Sequence, residues 1–175
     1  VGTAAGGLHT GTVANDTWYE VHVIMRIDTG VVDVMFTTTA NRATLPTNYT
    51  HSRRIGWIRY GTATLLQFTQ VDDYFTWTTQ INDASVALTA TAAAITLTAP
   101  PSSIVRFRAA VNSSGDSIGD TFTLVFSEIA EGNVTPAVSA GIASLSGRPS
   151  SADTNVAGHF ELRVSSTSTI EHDSA

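Results

Sequence analysis

Hydrophobic and polar residues alternate along several segments of this chain. Between Trp18 and Ile27, every second residue is apolar, in the order Tyr19, Val21, Val23, Met25 and Ile27. Successive side chains of a strand point to opposite faces, so this alternation predicts a half-buried strand with these residues toward the core. The turn residues 28–30 and a second alternating run follow, which predicts a hairpin whose partner strand buries Val32, Val34 and Phe36.

Three later segments repeat the alternation and predict one strand each. The residues predicted to face the core are Val105, Phe107 and Ala109, then Phe122, Leu124 and Phe126, then Phe160, Leu162 and Val164. Each strand is predicted to keep its other face in solvent, and Phe107, Phe122 and Phe160 are predicted core residues. The Ala- and Thr-rich residues 84–99 also favour extended structure, because threonine is β-branched.

Turn-rich segments at residues 45–48, 100–103, 112–120 and 147–158 separate these strands, and no segment keeps a helical period. The predicted fold is all-β, an antiparallel β-sandwich resembling a jelly roll. We expect residues 1–175 to form a single β-sandwich domain. The start at Val1 rather than methionine favours a processed or excised chain.

Composition excludes several classes of partner. The 175 residues are 42% hydrophobic and 14% charged, which predicts a folded chain. A net charge of -6 provides no basic field for nucleic acid, and no apolar run approaches the ~20 residues of a membrane span. We therefore expect neither nucleic-acid binding nor membrane insertion. The chain has no cysteine, so disulfides and thiolate metal sites are excluded.

The residues that suggest catalysis have simpler explanations. Asp72 and Asp73 are adjacent, so on a strand they point to opposite faces rather than facing each other across a substrate. Residues 115–119 fit G-x-S-x-G but lack the preceding buried strand and following helix of a nucleophile elbow. The loop at 112–120 lacks the last glutamate of an EF-hand calcium loop. His159 and Glu161 lie on one predicted strand face but provide only two ligands, fewer than a zinc site uses. We predict no catalytic residue, metal or cofactor.

Short motifs occur between residues 18 and 77: Trp18-Tyr19, the hairpin through residues 30–33, Leu45-Pro46 with Tyr49-Thr50, the run from Arg53 to Arg59, Phe68-Thr69-Gln70, and residues 73–77. Together they resemble a domain of bacteriophage tail fibres and spikes, so residues 1–175 are expected to be a single domain or one segment of a longer fibre or spike protein. Trp57 departs from the pattern, where a small residue is more usual. The resemblance implies a virion surface component, located outside the cell when assembled, that forms homotrimers with contacts to other virion proteins. It implies no catalytic residue.

The segment from residue 53 to residue 59 has arginines on both predicted faces. Arg53, Ile55, Trp57 and Arg59 are predicted to share one face, with Arg54 on the other. Guanidinium groups bind carboxylates, so these arginines are expected to pair with Asp72 and Asp73 or with acidic groups of a neighbouring subunit. The predicted subunit interface is Arg53, Arg54, Trp57 and Arg59. Trp18, Trp57 and Trp77 fit either sugar-binding platforms or buried packing.

Loops are predicted to bind any ligand, because strands are committed to packing. Loops 40–52, 112–120 and 147–158 carry amides, carboxylates and one aromatic ring that suit a sugar, and the predicted ligand-binding residues are Asn41, Asn48, Tyr49, Asn112, Asp116, Asp120 and Asp153. The expected function is a non-enzymatic fibre, spike or receptor-binding domain that oligomerises and contacts a host-surface glycan. The alternatives are a carbohydrate-active enzyme domain and a purely structural capsid decoration protein.

Overall fold

The computed structural model describes residues 2–3, 7–38, 44–71, 74–87, 93–114, 122–128, 144–147 and 153–174. These residues form strands, turns and loops and no helix, so the all-β prediction is confirmed. It follows that the described part of the chain has no helix able to span a membrane. The chain divides into two compact units, Val1–Gln80 and Ile81–Ala175, which we call unit 1 and unit 2. A single domain over residues 1–175 stays a prediction.

Unit 1 contains a five-stranded sheet and a separate hairpin. The sheet strands are β1 (Gly2–Thr3), β2 (Gly7–Leu8), β3 (Thr17–Met25), β4 (Val32–Thr37) and β5 (His51–Tyr60), in the spatial order β1-β2-β4-β3-β5. β3 is antiparallel to both β4 and β5, whereas β2 is parallel to its two neighbours. The strands β6 (Phe68–Val71) and β7 (Tyr74–Trp77) form the antiparallel hairpin. β3 is therefore the central antiparallel strand that positions the candidate site.

The predicted β3–β4 hairpin is confirmed. The N–H of Arg26 donates to the carbonyl of Val31, and the N–H of Gly30 donates to the carbonyl of Arg26, both at 2.9 Å. Gly30 has a φ of 71°, a left-handed conformation that costs glycine little because it has no Cβ. The glycine therefore lets a short turn close the hairpin.

The predicted inward face of this hairpin is wrong. The fully buried residues of the two strands are Glu20, Ile24, Met35 and Thr37, whereas Val32 and Ile27 are 58% and 69% exposed, and Val34 is also exposed. The apolar residues of the predicted face are therefore only partly covered, although Tyr19 is buried. The polar residues Glu20 and His22 lie on the buried face and hydrogen-bond to each other there, which lowers the cost of burying them, although Nδ1 of His22 has no partner in the described part of the chain.

A β-bulge in β5 changes the predicted faces of its arginines. Val21 pairs with Gly56, but the next residue of β3, His22, pairs with Arg54, so Ile55 is an extra residue on β5. An extra residue shifts the alternation by one position beyond the bulge. Arg54 therefore shares the face of Trp57 and Arg59, and Arg53 lies on the opposite face. The prediction that separated Arg54 from the other three residues is corrected.

Unit 2 is sandwich-like. Its strands are β8 (Ala93–Thr96), β9 (Ile104–Ser114), β10 (Phe122–Ser127), β11 (Ser144–Gly147), β12 (Asp153–Arg163) and β13 (Thr169–Ser174). β8, β10, β11 and β13 form an antiparallel sheet in the order β11-β10-β13-β8, and β9 pairs with β12 in a long antiparallel ribbon. One hydrophobic core joins this sheet to the ribbon. The predicted antiparallel sandwich-like arrangement is confirmed.

Three phenylalanines occupy the centre of the unit 2 core. The ring centroids of Phe107, Phe126 and Phe160 lie 4.9 to 5.6 Å apart, within the range of favourable aromatic pairs. Phe160 is buried as predicted, and Phe107 is half-buried against the same cluster. The predicted core residue Phe122 lies on β10, but its side chain is outside the described residues. The core therefore follows the predicted phase on β9 and β12.

Some predicted boundaries and faces in unit 2 are wrong. The described side chains of β10 are buried on both faces of the strand, because Thr123, Val125 and Ser127 are as buried as Leu124 and Phe126. β9 and β12 extend to Ser114 and Asp153, so they include residues predicted to be loop. The long pairing of the ribbon extends the strands, since each added pair satisfies further backbone donors and acceptors. Extended structure within residues 84–99 is confirmed at β8.

Candidate functional site

The predicted glycan-binding residues are divided between the two units and segments outside the described residues. Asn41, Asp116 and Asp120 lie outside the described residues, and only the backbone of Asp153 is described, as the first residue of β12. Asn48 and Tyr49 lie in unit 1 immediately before β5, whereas Asn112 lies in unit 2.

Asn112 is a strand residue rather than the predicted loop residue. It lies on β9, and its Nδ2 donates to Oδ1 of Asn155 on β12 at 3.0 Å. The two residues are cross-strand partners, so this contact is part of the ribbon pairing. Its amide group therefore already has one partner inside the fold.

The hydroxyl of Tyr49 is also committed to a partner within the chain. It donates a hydrogen bond to Oδ2 of Asp33 on β4. This hydrogen bond raises the pKa of Tyr49 above its usual 10.0, and loss of solvent and the nearby carboxylate charge act in the same direction. A nucleophilic tyrosine needs a stabilised phenolate, and here the phenolate is destabilised. Tyr49 therefore fastens its loop to the sheet and is not activated for catalysis.

Aromatic and guanidinium groups form a continuous cluster on unit 1. We define the tryptophan–arginine face as Trp18 on β3, Arg54, Trp57 and Arg59 on β5, and Trp77 on β7. Trp18 lies between the other two tryptophans of this face. Its ring centroid is 6.4 Å from that of Trp57 and 5.6 Å from that of Trp77. The centroid of Phe68 on β6 lies 6.3 Å from that of Trp77, so the β6–β7 hairpin supports the cluster. All four aromatic residues are partly exposed.

The two arginines of this face stack on its indole rings. The guanidinium carbon of Arg54 lies 5.0 Å from the Trp57 ring centroid, and that of Arg59 lies 5.7 Å from the Trp18 centroid. Both distances fall within cation–π range, where such a contact contributes about 0.5–1 kcal/mol at an exposed site. Each contact also places a guanidinium over a broad apolar ring, which restricts its motion.

A buried carboxylate lies beneath Arg54. Glu20 on β3 is 0% exposed, and its Oε2 lies 2.8 Å from Nε2 of His22. The other oxygen, Oε1, lies 3.7 Å from Nη1 of Arg54, which is beyond the usual hydrogen-bond distance. The Arg54 side chain is 46% exposed. Arg54 is therefore attracted to the carboxylate from one side and open to solvent on another.

Arg59 and Arg53 differ from Arg54. The Arg59 side chain is mostly buried, its Nη2 lies 3.5 Å from Oδ1 of Asp16, and its buried Nε has no hydrogen-bond partner in the described part of the chain. Arg53 is exposed on the opposite face of the sheet. Of the four predicted interface residues, Arg54 and Trp57 thus form the exposed part of the face, and Arg59 supports it.

Two of these arginines have described acidic partners within the same chain. Asp72 and Asp73 lie outside the described residues, whereas Arg54 and Arg59 approach Glu20 and Asp16 within the same chain. The described ion pairs of this segment therefore match the intramolecular alternative. Sequence reasoning did not identify Glu20 and His22 as site residues. The available signal was their i, i+2 spacing, which places two polar side chains on one strand face.

Within the described residues, no group of three or more histidine or acidic side chains is placed to hold a metal ion. Neither a family model, nor a curated protein, nor a solved structure matches the chain. The tryptophan–arginine face has an aromatic surface and an exposed guanidinium. These groups suit a ligand with both apolar and anionic or hydroxyl groups.

Proposed function

We propose that this chain is a non-enzymatic virion surface component of the fibre or spike type, which oligomerises and contacts a host-surface glycan through the tryptophan–arginine face of unit 1. The observation that carries this proposal is the partly exposed aromatic surface of Trp57, Trp18 and Trp77 with Arg54 beside it. The loops predicted to bind the ligand lack such a cluster in their described residues.

The sequence resemblance and the cluster occupy the same part of the chain. The resembling residues 18–77 span β3 to β7, and every residue of the tryptophan–arginine face lies within them. Trp57 is both the departure from the fibre pattern and the ring on which Arg54 stacks. The position of Trp57 supports a role for this residue in ligand recognition, because a small residue there would remove the stacking partner of Arg54.

A glycan suits this surface for physical reasons. The C–H faces of a sugar ring are apolar and pack well on indole, while guanidinium N–H groups donate to hydroxyl or carboxylate oxygens. The indoles are held by one another and by Phe68, so little side-chain entropy is lost when a ligand binds.

The oligomer part of the proposal is supported by a second surface. Exposed aliphatic side chains are concentrated at the β3–β4 hairpin, at Ile27, Val31, Val32 and Val34. Exposed apolar residues close together along one hairpin are typical of surfaces that another protein copy covers. We assign this hairpin surface to contacts between copies of the chain, and the sequence resemblance favours three copies.

A glycan array of bacterial surface oligosaccharides tests the glycan proposal. The protein is compared with Trp57→Ala and with the control Leu65→Ala, which also truncates an exposed apolar side chain of unit 1. Trp57→Ala is expected to weaken binding at least tenfold, since stacking on an aromatic ring contributes a large share of such affinity. Leu65→Ala is expected to bind as the unaltered protein does. Equal binding by all three proteins, or no glycan bound by any, would contradict the proposal.

A further inference from the structure

We infer that the glycan recognised at the tryptophan–arginine face is acidic, with a sugar carboxylate paired to Arg54 and the sugar ring packed beside it on Trp57. This inference rests on the proposed function and names its ligand class. It is carried by the position of Arg54, a half-exposed guanidinium that lies over an indole ring above a buried carboxylate.

The orientation of Arg54 is set before any ligand binds. The guanidinium carbon lies 5.0 Å from the Trp57 ring centroid, and the attraction of Glu20 acts on Nη1, 3.7 Å from the carboxylate. The guanidinium has five N–H donors in a rigid plane, so a group held on one side still presents donors at its other edges. A carboxylate matches two adjacent donors of that plane, which gives a bidentate pair. The site is therefore organised for a planar anion.

The local charge also favours an anion, although the whole chain is acidic. The chain carries a net charge of -6, but Arg54 and Arg59 lie together on this face, whereas Arg53 lies on the opposite face of the sheet. The Glu20 carboxylate, 3.7 Å from Arg54, has no exposed surface, and Asp16 lies beside Arg59. Glu20 offsets part of the charge of Arg54, but the guanidinium is the charged group of this pair that reaches solvent. A negatively charged sugar gains from this field, and a neutral sugar gains only the stacking and hydroxyl contacts.

The chemistry of the exposed surface favours a sugar over an acidic protein segment. A half-exposed arginine beside partly exposed indole rings matches a sugar ring with its carboxylate, because the ring packs on indole while the guanidinium binds the carboxylate. A stable protein interface covers about 800 Å² on each partner and needs a larger buried centre. Binding of an acidic segment from a second copy is the competing outcome, and the experiment below separates it from glycan binding.

The test compares oligosaccharides that contain glucuronic acid with their methyl esters, which keep the ring and lose the charge. Binding is measured by calorimetry for the unaltered protein, Arg54→Gln, Arg54→Lys and the control Arg53→Gln, each confirmed as folded by circular dichroism. We expect the unaltered protein and Arg53→Gln to prefer the acids at least tenfold. Arg54→Gln should remove that preference, and Arg54→Lys should keep only part of it, because lysine has the charge without the bidentate geometry.

The outcomes separate the inference from the proposed function. Equal affinity for acids and esters with no effect of Arg54→Gln would overturn the acidic-glycan inference and leave glycan binding intact. Absence of binding to every sugar would overturn both. If sugars do not bind but Arg54→Gln dissociates an oligomer of the protein, the face is a contact for a second copy, and the inference is likewise overturned.

Discussion

Glu20 is a buried acidic residue on β3, which pairs with β4 and β5 in unit 1. It has no exposed surface, yet it carries a carboxylate that contacts His22 and attracts Arg54. Burial of a charged or polar group is costly unless its partners are present, so the three residues form one interdependent unit. Glu20 therefore links the stability of the sheet to the position of the exposed guanidinium.

We predict that Glu20→Ala destabilises unit 1 by about 2–4 kcal/mol, because it opens a cavity and leaves the buried His22 without its hydrogen-bond partner. Glu20→Gln keeps the volume and one acceptor, so its cost should be about 1 kcal/mol. All three tryptophans belong to unit 1, so urea denaturation followed by tryptophan fluorescence reports on this unit alone. A Glu20→Ala protein as stable as the original would show that desolvation of the carboxylate outweighs its contacts.

Tyr49 and Asp33 make a second residue-scale prediction, which concerns pH. The hydrogen bond raises the pKa of Tyr49 in the folded protein above 10.0, so its stabilising effect is fully present below pH 10. That stabilisation is lost as pH rises through the raised pKa of the folded state. Ultraviolet titration of the four tyrosines should show an ionisation above pH 10 that is absent from Tyr49→Phe. If the ionisation lost in Tyr49→Phe is centred at or below pH 10, the hydrogen bond does not hold in solution.

At the scale of elements, alternation in the sequence predicts which segments are strands but not always which face is buried. The β9 and β12 phases follow directly from their apolar positions, because their opposite positions carry Arg106, Arg108, His159 and Glu161. In β3 both faces contain apolar residues, so the sequence does not decide between them. The face that carries Glu20 and His22 is buried, opposite to the prediction. A hydrophobicity pattern does not reveal that these two polar residues hydrogen-bond to each other.

The candidate site was only partly predictable for a related reason. The sequence analysis placed Arg54, Trp57 and Arg59 in one predicted interface with Arg53, but a one-residue bulge at Ile55 determines that these three, without Arg53, share a face. A bulge depends on pairing between strands and leaves only weak local signals, such as the adjacent Gly56. The contact of Trp18 with Trp77 joins separate sheets, and no spacing in the sequence encodes it.

Gly158 on β12 gives an element-scale prediction. It faces the unit 2 core, where an added Cβ would lie 2.9 Å from Cζ of Phe160 and 3.3 Å from Cδ1 of Leu145. Phe160 is packed against two other rings and has little room to move. Gly158→Val should therefore destabilise unit 2 by about 1–3 kcal/mol through overpacking. The change is measured by thermal denaturation followed by far-ultraviolet circular dichroism.

Ala157→Val is the matched control for this prediction. Ala157 is the neighbouring residue on the exposed face of the same strand, where valine fits the extended backbone well. It should leave stability unchanged or slightly raised. Similar destabilisation by both substitutions would mean that valine disturbs the strand itself rather than the core contact at Gly158.

At the scale of the whole molecule, the exposed β3–β4 hairpin predicts self-association. Multi-angle light scattering should give a mass of about 55 kDa, three times the 18.4 kDa of one chain. The double variant Val32→Thr, Val34→Thr keeps β-branched side chains but adds hydroxyls to the exposed face, so it should shift the protein toward monomer. Val86→Thr makes the same change at another exposed valine and should remain trimeric. A monomer of the unaltered protein at micromolar concentration would contradict this assignment.

The central claim is that unit 1 binds a glycan at the tryptophan–arginine face. It is tested most directly by following the three indole N–H signals of the protein in two-dimensional NMR while a glucuronic acid oligosaccharide is added. Assignment uses Trp18→Phe, Trp57→Phe and Trp77→Phe variants. We expect the Trp57 signal to shift most and to saturate together with the Arg54 side-chain signal. Shifts confined to the loop residues 44–50, with all three indole signals unchanged at saturation, would contradict the account.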